Sequence, residues 1–359
     1  MLGLPAPAWL VQVLMALTLA LHWLFLGGVV GGLVVVVANA VRAKRDPSLA
    51  SLNRGLVSYL PFALSMAMTI GVAPLLFVQV LYGQFFYTAN IMLGWWWMAL
   101  IVLVIVNFYL LWLTWYRLQG GRTLPWLAVI VALVLFAKAA TILSSNATLV
   151  QAPEAWESVR VGGMNRLYTG DGSLFPRILF ALSGFVAVGG LVVALLDRSG
   201  ILAREDAPEA AAPAGLALVL PALVVQAVFG VLVIATLPSV QRSAALGGGF
   251  GAVFSYVAIA AFAGAAALTF LARNASGLKA LLLPLLVYFV GLLSLAAARD
   301  AVRRAALKTA GFSIADAPFH PEWSSLALFL VAFVAGLGVI AWLVRLATQR
   351  GEPTAEAGS

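Results

Sequence analysis

Three side chains stand out for the chemistry they could do, because nearly everything around them is apolar. His22 lies in the middle of an unbroken apolar run over residues 8–37. A histidine at that depth is costly unless partnered, so it is a functional candidate. A neutral imidazole can ligate haem iron through one ring nitrogen, or it can hydrogen-bond across a helix interface, and the residue alone leaves both roles open. His320, in Phe319-His320-Pro321-Glu322, falls at a span boundary and reads as structural or superficial. With only these two histidines, a haem held between a pair of imidazoles at one depth is not expected. Lys138 sits inside the fourth apolar run, nearer its outer end. Its ammonium must snorkel, pair or lose its proton; the functional alternatives are a counter-charge for a haem propionate or an element of a proton path.

Other chemistry is missing. The chain has no cysteine, which removes disulfides, thiolate metal sites and thiol nucleophiles together. Its acidic residues, from Asp46 to Glu356, are expected to cluster in loops and tails, which argues against a proton-coupled transporter. Gln79, Asn107 and Gln226 are amides within spans and read first as interhelical hydrogen-bonding groups. Trp95, Trp96 and Trp97, with Phe85, Phe86 and Tyr87, form an interfacial aromatic belt or the edge of a quinone or haem site.

The elements that must position these residues are membrane helices. The chain is 63% hydrophobic and only 9% charged, against roughly 25% charged for a soluble domain. A spanning helix needs about 20 apolar residues. On that measure spans fall near 8–37, 56–82, 91–116, 124–146, 175–196, 214–236, 249–271, 278–297 and 324–346, all helical because backbone groups in lipid must be satisfied within the segment. The fold class is therefore an all-α membrane protein of about nine transmembrane helices. The net charge of +8 sits in short loops beside the spans, so it sets topology in a lipid bilayer and does not point to nucleic acid. Arg42, Lys44, Arg45 and Arg54 follow the first span, which places that loop in the cytoplasm, the N-terminus outside and the C-terminus inside.

One segment conflicts with this topology. Residues 299–322 carry Arg299, Arg303, Arg304 and Lys308 on the outer side, so either a span is miscounted or an amphipathic helix lies on the surface or against a partner. Residues 1–347 read as one polytopic domain with an external cap at 151–173 and a cytoplasmic linker at 197–212, followed by a polar tail at 348–359. Gly27, Gly28, Gly31 and Gly32 make overlapping small-xxx-small pairs suited to close helix packing.

Several stretches resemble subunit I of the cytochrome bd quinol oxidases. Ala16-Leu17-Thr18 followed by His22 and Phe25 resembles that family's opening helix, whose A-L-T-x3-H-x2-F pattern carries a haem-ligating histidine. Ser145-Asn146 with Gln151 and Pro153 is similar to the stretch after its fourth helix, and Phe175-Pro176-Arg177 through Ser183-Gly184-Phe185 to its fifth-helix entrance. The resemblance covers roughly the first 200 residues, and beyond them only the span number matches. It implies a subunit I-like bundle with His22 as an iron ligand. The departures are as informative. The family's second histidine falls near Leu179 or Phe180, neither of which binds iron. The third span lacks the family's glutamates, and the quinol loop shrinks to residues 238–248.

The resulting expectation is a membrane subunit of a respiratory or electron-transfer complex in the bacterial inner membrane, with degenerate haem and quinol sites. It holds one haem b at His22 or none, and reduces no oxygen by itself. Expected partners are other membrane subunits or a periplasmic cytochrome. The alternatives are a haem-free scaffold docking such a partner through 151–173 and Arg299–Lys308, and a small-molecule transporter, for which Pro74, Pro221 and Pro284 leave some room.

Overall fold

The computed structural model describes residues 3–170, 172–202, 213–273 and 277–349. Among them, nine helices are long and apolar enough to cross a membrane. The long helices are α1 (Ala8–Ala40), α2 (Pro47–Met92), α3 (Gly94–Gln119), α4 (Trp126–Val150), α6 (Leu174–Arg198), α7 (Leu216–Thr236), α9 (Gly249–Ala272), α10 (Leu278–Thr309) and α11 (Trp323–Gln349). Two short helices, α5 (Trp156–Gly162) and α8 (Ser239–Leu246), lie between them at the end of the bundle that carries the N-terminus. Much of the linker expected at 197–212, and nearly all of the tail expected at 348–359, lie outside the described residues.

Helix α1 is the hub, packing on α2, α6 and α10. Its glycines explain the closeness to α6: a Cβ on Gly31 would stand 2.6 Å from both the Gly189 Cα and the Phe185 carbonyl, so the two backbones touch. Lipid tails are as apolar as leucine, so such van der Waals contact, rather than burial from water, holds membrane helices together. Helices α3 and α11 lie at the rim. The most apolar window of α11 has no buried residue, and the outer face of α3 exposes Trp95, Met98, Ile101 and Tyr109.

Two boundaries differ from those expected. The gap between the spans expected at 56–82 and 91–116 is helical: α2 runs on to Met92 with one non-helical residue, Tyr82, at φ −133° and ψ 28°. The helix persists because Phe85 and Phe86 bury their rings against Trp156, Phe312 and Trp97. Its start is fixed by Asp46, whose carboxylate accepts from the Ser48 amide at 2.9 Å, with Pro47 in the first turn.

The second correction concerns residues 299–322. Helix α10 continues unbroken through Arg299, Asp300, Arg303 and Arg304 to Thr309, and Asp300 and Arg303 are only 4% and 6% exposed. The segment is neither a surface helix nor an extra span. Two of its charges are neutralised inside the bundle, so they carry little of the topological weight of free loop charges. The chain then returns along the N-terminus, where the Leu4 amide donates to Pro318 O at 2.7 Å and the His320 amide to Leu4 O at 3.0 Å.

In the cap expected at 151–173, residues 151–170 fold over the ends of α2, α3 and α4. Trp156 donates its indole N–H to Leu149 O, and Trp96 donates to Asn165 O. Asn165, in the left-handed region at φ 67°, also accepts from the Trp95 amide through its side chain. On the exposed surface of the cap, Arg160 hydrogen-bonds Glu157 and holds its carboxyl below the usual range.

Candidate functional site

His22 is the fifteenth residue of α1, and its ring is half-buried against α2. Its Nδ1 lies 2.7 Å from the Ala67 carbonyl oxygen. A carbonyl only accepts, so Nδ1 must carry the proton and donate it, and the neutral ring then presents Nε2 as its lone-pair nitrogen. A backbone carbonyl fixing the far nitrogen in this way is how metal-ligating histidines are commonly oriented. Gly71 makes the approach possible: a Cβ there would stand 2.5 Å from Nδ1 and 2.7 Å from Cε1 of the ring.

The ring would therefore hold a haem iron through Nε2, the nitrogen left free. No second ligand faces it from the expected position. Leu179 is 42% exposed, and the Phe180 ring packs edge-on against Phe262 with centroids 6.4 Å apart. His320 lies beside Gly3, before α1 begins, whereas His22 is about 20 Å further along the helix. Among the described residues there is no group of three or more histidines and carboxylates able to hold a metal ion.

Lys138 is not part of this arrangement. Its Nζ stands 4.1 Å from the centre of the Trp96 ring, a cation–π contact that offsets part of its desolvation. The third-span residues are held structurally or left without partners. Asn107 is 2% exposed with an unpaired Oδ1, and the Trp97 indole N–H is likewise buried and unpaired. The amide of Gln226 accepts from the buried Tyr288 hydroxyl at 3.1 Å, joining α7 to α10. Gln79 accepts from Tyr87 at 3.0 Å within α2.

A second polar cluster was not foreseen. The expectation that acids keep to loops and tails is corrected by Asp300, which is buried within α10. Its Oδ1 accepts from Tyr82 at 2.6 Å and from Arg303 at 3.2 Å. Its Oδ2 accepts from Gln12 and from Arg304, each at 3.2 Å. Arg303 also lies 5.0 Å from the centre of the Tyr82 ring. The cluster thus ties α1, the kink of α2 and α10 together. Its sequence signal was the spacing Arg299-Asp300-x2-Arg303-Arg304, in which an acid faces bases three and four residues on, directly continuing an apolar run.

The architecture defines an all-α, multi-pass membrane protein whose central helix carries a single oriented histidine. No protein-family model matches the chain, and no curated protein matches it. A chain in the structure of bd oxidase from Geobacillus thermodenitrificans shares the fold, with a TM-score of 0.65 over 98% of this chain and 100% of that one, at 13% identity. The likeness spans both chains from end to end, including the C-terminal half where the sequence matched only in span number. The protein has the bd oxidase fold.

Proposed function

We propose that this chain is a membrane subunit of a respiratory electron-transfer complex in the bacterial inner membrane, holding at most one haem b through His22. The observation that carries the reading is the Nδ1 contact of His22 with Ala67 O, which leaves Nε2 as the coordinating nitrogen in a fold shared with a bd oxidase. A haem there would supply a one-electron carrier. The chain's own residues orient the imidazole, with Ala67 fixing its tautomer and Gly71 leaving room for it. The apolar pair Leu179 and Phe180 and the glutamate-free third span support a degenerate site without independent oxidase activity. The resemblance of the opening helix to subunit I supports that subunit as the ancestor.

The N-terminus is periplasmic and the C-terminus cytoplasmic in this reading. The support is the charge at the end of the bundle opposite the N-terminus, where Arg42, Lys44 and Arg45 are joined by Arg122 and Arg273 in the connections and by Arg117, Arg198 and Lys279 in the helix ends beside them. The free rim faces of α3 and α11 suit further membrane subunits as well as lipid.

A haem-free scaffold is the second reading, favoured by the cap, whose mixed charges are anchored by Trp156 and Trp96 and could dock a periplasmic cytochrome. Its other proposed docking surface is reduced, because Arg303 is buried and only Arg304 and Lys308 of that basic segment are exposed. The optical spectrum of protein purified with its natural partners separates the two readings: a Soret band supports the redox subunit, and its absence at full protein occupancy supports the scaffold.

A further inference from the structure

Asn39 is the last residue but one of α1, and its side-chain nitrogen is buried with no acceptor in reach. A buried amide left unpaired costs about 1–3 kcal/mol, so its surroundings matter. It lines a cleft of about 180 Å³ between the end of α1 and the start of α7, together with Arg42, Gly215 and Ala217, and walled by Val35 and Leu218. Both sides of the cleft are fixed by α6, on which α1 and α7 each pack. On one side Gly31 of α1 touches Gly189; on the other, a Cβ on Gly190 would stand 2.9 Å from the Gly215 carbonyl oxygen. Gly215 lies in the left-handed region at φ 84°, where a side chain would be strained. The cleft is therefore held open by backbone contacts that only small residues allow.

Three donors converge there. The Asn39 amide is one. Arg42 is exposed, and among the described residues its guanidinium has no hydrogen-bond or ion-pair partner. The Leu216 and Leu218 amides donate back to Pro213 O and Gly215 O, whereas the Ala217 amide between them has no backbone partner among the described residues. That amide is among the first donors of a 21-residue helix, whose dipole is positive at this end. The Asp197 carboxylate accepts from the Ala214 amide at 2.7 Å, just ahead of α7, and does not line the cleft.

We propose that the cleft between α1 and α7 binds a phosphate group through Asn39 and Arg42, and that an anionic phospholipid supplies it. A phosphate oxygen gives the Asn39 amide the acceptor it lacks, and the guanidinium matches phosphate with charge-assisted, paired hydrogen bonds. A water molecule takes about 30 Å³ of liquid volume, so the cleft has room for a phosphate and the ester carbons beside it. Asn39 and Ala217 lie within about one turn of their helix ends, at lipid-headgroup level, and Val35 and Leu218 carry the cleft on toward the hydrocarbon. Those apolar walls favour a lipid over a free phosphate ion, which has no use for them. The site is distinct from His22, about 25 Å away along α1.

The test uses the full-length protein, delipidated in detergent, titrated with phosphatidylglycerol under native mass spectrometry and, separately, with inorganic phosphate followed by thermal stability. Diacylglycerol, which has no phosphate, is the control lipid. Saturable binding of phosphatidylglycerol is expected, weakened about tenfold or more in Asn39→Asp, where a charged hydrogen bond gives way to repulsion. Arg42→Gln should weaken it as well, whereas Arg273→Gln, on the same side of the membrane but outside the cleft, should not. Phosphatidylglycerol binding without a phosphate effect identifies a headgroup site, and a phosphate effect lost in Asn39→Asp identifies a soluble anion. Equal binding by the native protein and Asn39→Asp would overturn the proposal, as would equal weakening by Arg273→Gln, which marks a diffuse basic surface. Should Asn39→Asp fail to accumulate, the unsubstituted protein still decides. Phosphatidylglycerol must bind it more tightly than diacylglycerol, or phosphate must raise its Tm more than chloride at equal ionic strength, and failure of both refutes the site. Haem content enters neither arm, so this result stands apart from the His22 reading.

Discussion

Tyr82 and Asp300 lie 218 residues apart in sequence, and the phenol of one donates to the carboxylate of the other at 2.6 Å. That bond joins the one non-helical residue of α2 to the far end of α10. It also explains how a charged segment stays inside the protein. Asp300 neutralises Arg303, and the aromatic face of Tyr82 covers the guanidinium.

Removing the acid should therefore cost far more than removing the phenol. Asp300→Ala leaves Arg303 buried without its counter-charge, and a loss of about 3–5 kcal/mol is expected. Tyr82→Phe deletes one hydrogen bond to a charged group, worth about 1.5–3 kcal/mol. Thermal unfolding in detergent should rank the native protein above Tyr82→Phe and Tyr82→Phe above Asp300→Ala. A neutral effect of Asp300→Ala would mean that the cluster does not brace the bundle.

The crossing of α1 and α6 makes a second prediction. A side chain on Gly189 would meet Gly31 Cα at 2.5 Å, whereas a Cβ on Gly28 finds its nearest neighbour, Val192 Cγ1, at 4.0 Å. Gly189→Val should destabilise by roughly 1–3 kcal/mol or more through overpacking, and Gly28→Ala should leave the melting temperature near that of the parent. Similar melting temperatures for both variants would show that the helices are not in backbone contact.

Topology gives a third. Reporter fusions after Arg45 and after Ser359 should both report cytoplasm, since an even number of spans separates them. Opposite locations would make the number of crossings between them odd and would unseat the nine-span bundle.

Much of this architecture was legible in the sequence, because spans are set by apolar length and that signal is local. His22 stood out for the same reason, as a polar residue in an apolar run. What orients it was not legible: Ala67 O and Gly71 come from another helix 45 and 49 residues away, and neither residue type signals a hydrogen-bond partner. Arg299–Arg304 was misjudged because a window seeking 20 apolar residues stops at the first charges. Whether charges beyond that point face water or one another is decided by Gln12 and Tyr82, which no local pattern can reveal. Residues 83–90 were the gap left between two apolar windows, and Gly83 is a poor helix former, yet the buried rings of Phe85 and Phe86 carry α2 through them.

A fourth prediction follows from the missing chemistry. On the resemblance to subunit I, Leu179 and Phe180 fall where a second haem ligand is expected, Asn107 and tryptophans where third-span acids are expected, and the eight-residue helix α8 where a quinol-binding loop is expected. Purified protein given a reduced quinol analogue should consume oxygen no faster than an empty-membrane control. Quinol-dependent uptake by the single chain would restore the oxidase assignment.

The central claim is that His22 is the one haem ligand of a respiratory membrane subunit, and a pyridine haemochrome assay on protein purified with its natural partners tests it most directly. The account predicts no more than one haem b per chain, lost in His22→Ala and unchanged in His320→Ala. A full haem complement in His22→Ala would contradict it, moving the ligand to another residue or to a neighbouring subunit.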